Sequence, residues 1–500
     1  MRRIATLRLS TQRLPTHWLA RRPRAASLLR VARKTAFYLV TFAVVAAGAI
    51  WLALRVAPLQ TVSAAGQTAQ VGATGPTASL SGGPGELDLF GQVMATKPDF
   101  PGPIRPRLAL EHITIDPQVI QMLRADGPSK VALTLSQQLA AGWERYFLWE
   151  TLIAAGFAVV PLVAIAAVRR RPKVWKLLAG GIAVVVAVNV GGIALTASGT
   201  PRVLRSVKTL DDLVGVDPAT GTSAAGAPQP GVQAVVIGDS TASGWGLPWG
   251  ARPTALDQAC GRSPESYAAD LAAANQWNVL NLACGSATIE NGLLGPEVLY
   301  NGAVAPPQLP QAAAATHARL VVVSVGADDL SWSVMTKLCA AQTVCDDKVS
   351  SAYFGQLLNT FTRNYYQLLS GLDELPAHPA VLVNEYYSPF GSNLSCLQGY
   401  GMVPGKVKVL LARLGELNKV LQQGAALFGF GVAAPRFAGH ELCTQDPWVQ
   451  GPTDAAPLHP NAAGQLAIAL ADQQAFSLLS PSPVAVSPAT PSSAATPATG

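Results

Sequence analysis

The chain has 500 residues, of which 49% are apolar, and a formal net charge of +7 from 36 Lys and Arg against 29 Asp and Glu. That length accommodates one large domain and further parts. The excess charge is topological and does not describe a nucleic-acid surface: residues 1–34 carry +10, residues 169–176 carry +5, and the remainder is about −8.

In chain order, a basic segment (residues 1–34) contains nine Arg, one Lys and no acidic residue. Residues 35–54, Thr35 to Leu54, form an uncharged, mostly apolar run long enough to cross a bilayer. A cleavable signal peptide is the rival reading. The basic region is too long for one and the apolar run exceeds a signal core, although Ala64-Ala65-Gly66 offers small residues for cleavage. Residues 57–146 are expected to hold a linker and a small domain. Within them, 57–86 is Gly/Ser/Thr/Ala-rich and reads as a flexible tether. Leu108 to Ile115 alternates partly like a strand, Pro117 to Arg124 suits a helical turn or two, and Val131 to Trp143 suits a helix leading onward.

Two more apolar stretches follow, at 148–168 with Pro161 inside, and at 177–197 with Asn189 as its strongly polar residue. Between them lies Arg169-Arg170-Arg171-Pro172-Lys173-Val174-Trp175-Lys176. A short basic loop belongs on the cytoplasmic side, as does the basic N-terminus. Three spans then place residues 57–146 and everything after the third span outside. Buried core helices are the alternative, and the tri-arginine between them argues against it.

Residues 198–231 read as a linker, Gly/Ala/Pro-rich from 215 onward. From 232 to 480 the pattern alternates. Strands are expected at 233–238, 277–282, 319–325, 380–385 and 430–434, and helices at 263–275, 350–371, 405–424 and 461–476. Such alternation implies an α/β domain with a mainly parallel sheet covered on both faces. Residues 481–500 are Pro/Ala/Ser/Thr low complexity, which cannot bury a core. All six cysteines lie between 260 and 443; an even count in an outer domain reads as disulfides. A zinc site is the rival, without C-x-x-C spacing or a His cluster to support it. No metal or cofactor is expected.

The strand Ala234 to Ile237 stops at Gly238, and Asp239, Ser240 and Thr241 follow. Read locally, Ser240 is a helix cap. Read with His459-Pro460-Asn461-Ala462-Ala463-Gly464, it becomes half of a Ser/His pair, since a serine hydroxyl needs a base to become a nucleophile. His459 has its own local reading, as a loop residue before a helix whose next position suits proline.

Four blocks in order carry a resemblance: Gly238-Asp239-Ser240; Asn281-Leu282-Ala283-Cys284-Gly285-Ser286-Ala287-Thr288; Ser324-Val325-Gly326-Ala327-Asp328-Asp329-Leu330; and His459-Pro460-Asn461. Over about residues 230 to 480 the chain resembles the SGNH (GDSL-type) hydrolase superfamily, particularly its secreted actinobacterial esterases. The resemblance implies a three-layer α/β/α, flavodoxin-like fold with a five-stranded sheet. It implies Ser240 as nucleophile and His459 as base, and sequential disulfides Cys260–Cys284, Cys339–Cys345 and Cys396–Cys443. It implies oxyanion donors at the Ser240 amide, at Gly285 or Ser286, and at the third block.

Two positions depart from the family pattern. Ala456 stands where an acid usually orients the histidine, leaving Asp454 or a backbone carbonyl for that task. Asp328 stands where the family has Asn, and an ionised carboxylate can only accept a hydrogen bond. His440 is a weaker candidate base, and Trp245, Trp249, Trp332 and Trp448 serve either a pocket or the core. The reading is a membrane-anchored, extracytoplasmic serine ester hydrolase for acyl esters of envelope lipid or cell-wall glycan. Its partners are that ester and the bilayer, with no nucleic acid. An acyltransferase on envelope glycan and a weak or inactive binding module are the alternatives.

Overall fold

The structure, a computed structural model, describes residues 23–64, 67–76, 79–113, 128–169, 174–206, 214 and 228–479. The sequence expectations for 1–22, Pro117 to Arg124, most of 215–231 and the tail from 481 lie outside them.

Three long helices, α1 (Pro23–Val56), α2 (Pro128–Val168) and α3 (Val174–Ser206), pack together. Each holds a segment long and apolar enough to cross a membrane: Val31–Val56, Gln138–Val168 and Val174–Leu195. Small residues meet inside, with Ala46, Ala49 and Ala53 buried against Ala154, Ala158, Leu162 and Val185. Close backbone approach through small side chains is how helices associate in lipid, where apolar burial gains little. Leu39, Val40, Val44, Leu152, Val160 and Val188 are exposed on the outside of the bundle. Asn189 Nδ2 donates to Glu150 Oε2 (2.5 Å) and Thr151 Oγ1 (2.8 Å), joining α3 to α2. The linker expected from 198 is corrected: α3 continues to Ser206.

The expected tether at 57–86 is also corrected. It supplies three strands, β1 (Gln60–Ala64), β2 (Gln67–Thr74) and β3 (Gly82–Leu89), which join β4 (Gln92–Pro101) and β5 (Arg105–Ile113) in the order β1-β2-β5-β3-β4. The composition misleads because β2 gains its order from pairing along its length with β5, a partner more than thirty residues away. Small residues suit it as well: Val62 and Val71 close over Gly142, where a Cβ would lie 2.4 Å from the Val62 side chain.

The second sheet is parallel, in the order β12-β11-β10-β6-β7, from β6 (Ala234–Gly238), β7 (Val279–Asn281), β10 (Leu320–Ser324), β11 (Ala380–Asn384) and β12 (Gly431–Ala433). A small hairpin, β8 (Glu297–Val298) and β9 (Val304–Ala305), lies apart. Helices α4 (Ser240–Ser243), α5 (Ala255–Cys260), α6 (Tyr267–Asn275), α7 (Gln308–Ala313), α8 (Trp332–Ala341), α9 (Lys348–Asp373), α10 (Pro404–Leu427) and α11 (Ala462–Leu479) surround it. Side chains alternate across a strand. Val235, Ile237, Val321, Val323, Val381 and Val383 therefore join the core beneath α9 and α10. Ala234, Val236, Leu320, Val322 and Leu382 join that beneath α6 and α11. This is the three-layer α/β/α arrangement, and its strands are near-continuous apolar runs because both faces are covered.

Disulfides join Cys260 to Cys284, Cys339 to Cys345 and Cys396 to Cys443. Thiol titration of the denatured chain is expected to find none free before reduction and six after. Opening Cys260–Cys284, which spans 24 residues, is expected to cost about 3 kcal/mol of stability by urea unfolding.

Candidate active site

β6 ends at Gly238 with φ +150°, and any Cβ there would lie 2.1 Å from the Ser324 carbonyl oxygen of β10. Only glycine fits this approach. Gln308 of α7 caps the spot: Gly238 N–H donates to its Oε1 (2.7 Å) and its Nε2 donates to Gly238 O (3.0 Å). The chain then turns directly into α4. Asp239 is its N-cap, its carboxylate accepting from Thr241 N–H at 2.9 Å, and Ser240 is the first helical residue. The Ser240 N–H is thus one of the helix-terminal donors without an intrahelical acceptor.

His459 arrives from the opposite end of the domain, and its Nε2 lies 2.9 Å from Ser240 Oγ. Its Nδ1 faces the carbonyl oxygen of Pro457 at 3.2 Å. A carbonyl only accepts, so this contact fixes the tautomer with the proton on Nδ1 and leaves Nε2 free to take the serine proton. Asp454 is corrected as the orienting acid. Its carboxylate is occupied by Gly451 N–H at 2.6 Å in a local turn, on the exposed side of the loop.

Gln450, which sequence reasoning missed, organises the histidine loop. Its Nε2 donates to Trp245 O (3.0 Å) and Pro460 O (3.2 Å), and its Oε1 accepts from Ala456 N–H (3.0 Å). Tyr387 Oη donates to Leu458 O at 2.7 Å, holding a residue with φ +71° directly before His459. Gln465 of α11 ties the loop's far side to Thr241 O and Tyr267 N–H. None of these carries a motif, and only their position in space marks them.

In the second block, Gly285 lies under the Trp245 ring, and a Cβ there would come within 2.5 Å of it. The Gly285 N–H has no acceptor among the described residues. The Ser286 N–H likewise makes no backbone hydrogen bond among the described residues, so the geometry leaves both amides available as donors. In the third block, Ala327 N–H donates to Tyr386 Oη at 3.0 Å, and that hydroxyl donates to Asp239 Oδ2. Asp329 Oδ1 accepts from Ile289 N–H at 3.1 Å. Asp328 Oδ2 is buried with no hydrogen-bond partner.

The electrostatics follow from this crowding. Burial pushes the Asp328 carboxyl up to about 8, with Asp239, Asp329 and Glu297 adding repulsion. Burial likewise raises Asp329 to about 7 and Glu297 to about 6. At neutral pH Asp328 is therefore protonated and able to donate, which removes the objection its charge would raise. Burial lowers the His459 imidazole below its usual 6.5, so it is neutral and basic at pH 7.

His440 stands outside this constellation, stacked on Trp448 at 3.8 Å with its Nδ1 on Asp446 O. Trp448 also packs edge-on against Phe437, Trp332 is half-buried between the two cores, and Trp249 is exposed. No group of three or more His, Cys, Asp or Glu arranged for a metal ion occurs among the described residues.

Residues 236–467 match the GDSL-like Lipase/Acylhydrolase family. The chain is 28% identical over 262 residues to Lipase 1 of Streptomyces coelicolor, covering 49% of this chain and 88% of that one. It is 28% identical over 238 residues to a lipase of Streptomyces rimosus, covering 46% and 81%. Among solved structures, the extracellular lipase of Streptomyces rimosus aligns at 24% identity with a TM-score of 0.37, over 49% of this chain and 99% of its own.

The histidine loop yields a direct comparison. Asp454→Ala is expected to leave the rate at which a fluorophosphonate labels Ser240 within about two-fold. Gln450→Ala, which removes three loop hydrogen bonds, is expected to slow labelling at least about ten-fold.

Proposed function

We propose that the chain, whose residues 236–467 match the GDSL-like Lipase/Acylhydrolase family, is a membrane-anchored, extracytoplasmic serine ester hydrolase acting on acyl esters of envelope lipid or glycan. The observation that carries the catalytic reading is the 2.9 Å contact between Ser240 Oγ and His459 Nε2.

In this reading Ser240 Oγ attacks the ester carbonyl carbon while its proton passes to His459 Nε2. The imidazolium formed is steadied by the Pro457 carbonyl, which accepts from Nδ1. The oxyanion is met by the N–H groups of Ser240 and Gly285 and by the protonated carboxyl of Asp328. Collapse breaks the ester C–O bond, and the alcohol leaves with the proton from His459. Water then enters, gives a proton to His459, and its oxygen attacks the acyl-serine. The acid departs and Ser240 regains its proton.

Ser240→Ala and His459→Ala are each expected to lower kcat for p-nitrophenyl butyrate by at least about 10³, with the fold retained by circular dichroism. The double variant is expected to be hardly slower than either single one, because the two act as one proton-transfer unit.

The pH profile tests Asp328. Activity is expected to rise as His459 loses its proton, at a pH below the ordinary 6.5 of an imidazole. It is expected to fall again as Asp328 ionises near pH 8, since the anion can no longer donate and repels the oxyanion. Asp328→Asn keeps a donor at all pH values and is expected to remove the alkaline fall while leaving the acid limb in place. An unchanged alkaline limb in Asp328→Asn would take Asp328 out of the oxyanion site.

The anchoring rests on three apolar helices with basic residues before the first and between the second and third. Cysteines introduced into 169–176 are expected to resist membrane-impermeant maleimide in whole cells, whereas ones introduced at exposed positions of the hydrolase domain are expected to react.

A further inference from the structure

The sheet β1–β5 is packed on two sides. Toward the helices, Trp143 Nε1 donates to Gly72 O at 2.9 Å and Tyr146 Oη to Ala73 O at 3.3 Å. Ile104 closes on Gly192 of α3, where a Cβ would lie 3.2 Å from it. On the other side, Leu87, Leu89, Phe90 and Met94 are all at most 5% exposed and share one core with α9 and α10 of the hydrolase domain.

Phe90 is the point of contact. It forms the β3–β4 turn with φ +56°, a conformation that a bulky residue holds only when its surroundings impose it. Its ring meets Tyr365 of α9 edge-on at 5.7 Å. Tyr365 stacks on Phe361 at 5.4 Å and donates its hydroxyl to Leu421 O of α10 at 3.0 Å. Gly424 makes room for that ring, since a Cβ there would lie 2.3 Å from it. Phe361 and Leu417 in turn close on Gly326, where a Cβ would lie 3.2 and 3.0 Å from them. Gly326 leads into Ala327 and Asp328. From α10, Asn418 accepts from Tyr386 N–H (2.9 Å) and donates to Tyr386 O (2.8 Å), and Tyr386 holds the Ala327 N–H.

We propose that residues 82–113 are a working part of the hydrolase unit: Phe90 seats in the seam between α9 and α10 and, through Tyr365 and Phe361, sets the position of the third block. Phe90 is a positioning residue, acting through α9 on the loop that carries Asp328. The same docking holds the hydrolase domain in one pose on the helical bundle, whatever the length of chain between Ser206 and Gln229. The role of that loop in ester hydrolysis rests on the reading of the site given above; the docking itself does not.

The test uses the full chain in detergent micelles, with hydrogen exchange of residues 326–332 and p-nitrophenyl butyrate hydrolysis as readouts. Phe90→Ala is expected to speed exchange at 326–332 about ten-fold and to lower kcat by a similar factor, with KM within about two-fold. Phe90→Leu is expected to restore most of both. Leu80→Ala, at an exposed position of the same region, is expected to change neither. A free hairpin in Phe90→Ala, seen as fast exchange at 86–94, with 326–332 and kcat at parental values would overturn the proposal. Should Phe90→Ala fail to fold, the pair Gly91→Cys and Gln423→Cys serves instead, since a Cβ on Gly91 approaches the Gln423 side chain. Oxidation is expected to crosslink it with kcat kept, and absence of the crosslink would overturn the docking. If the parent chain hydrolyses no ester, the reading of the site fails, and exchange at 326–332 still decides this proposal.

Discussion

One hydrogen bond, between Ser240 Oγ and His459 Nε2, joins residues 219 positions apart, and much of the domain serves to hold it. The serine side is stiff because it leaves a fully buried strand through a glycine pressed against the next strand, with no slack before the helix begins. The histidine side is a loop, and loops lack a ladder of their own. Here glutamine and tyrosine side chains supply one: Gln450, Tyr387 and Gln465 bind backbone groups around residues 456–461 and across to α4. With Pro457 O on Nδ1, the histidine needs no acid to choose its tautomer.

That economy has an electrostatic counterpart. Asp239, Asp328, Asp329 and Glu297 crowd one region, and Arg262, which acts on Glu297, spends its guanidinium on Ala283 O, Leu282 O and Asp257. Like charges that cannot all ionise keep some protons at neutral pH. A carboxyl held in that state resembles an amide in what it offers, one donor beside one acceptor, so an aspartate can stand where a side-chain amide would otherwise be required. In the proposed oxyanion site this exchanges a pH-independent donor for one that titrates.

The apolar helices and the first sheet answer a different constraint. The three helices meet through small residues and an Asn189–Glu150 contact, a way for helices to associate where apolar burial gains little. The sheet above it buries apolar residues on both sides, toward the helices and toward α9 and α10. Each body thus completes its neighbour's core, and the hairpin tip reaches to within two aromatic rings of the third block.

The sequence by itself determined what depends on local pattern: the apolar runs of α1 to α3, the alternation of buried strands with helices, and the two short blocks that place Ser240 and His459. A buried parallel strand must be apolar on both faces, and a bilayer span must be long and uncharged, so both leave unmistakable runs. It did not show that 60–64 and 67–74 are strands, because Gly, Ala and Thr become ordered there by pairing with one another and with 105–113. It did not choose between Asp454 and a carbonyl, because the choice is made by how residues 450–459 fold back on one another. It could not say whether Asp328 carries a charge, since that depends on burial and, besides its neighbour Asp329, on Asp239 and Glu297 from other parts of the chain. Nor did it mark Gln450, Tyr386 or Phe90, whose residue types are ordinary. Their roles come from what stands opposite them, and only the packed tertiary structure supplies that partner.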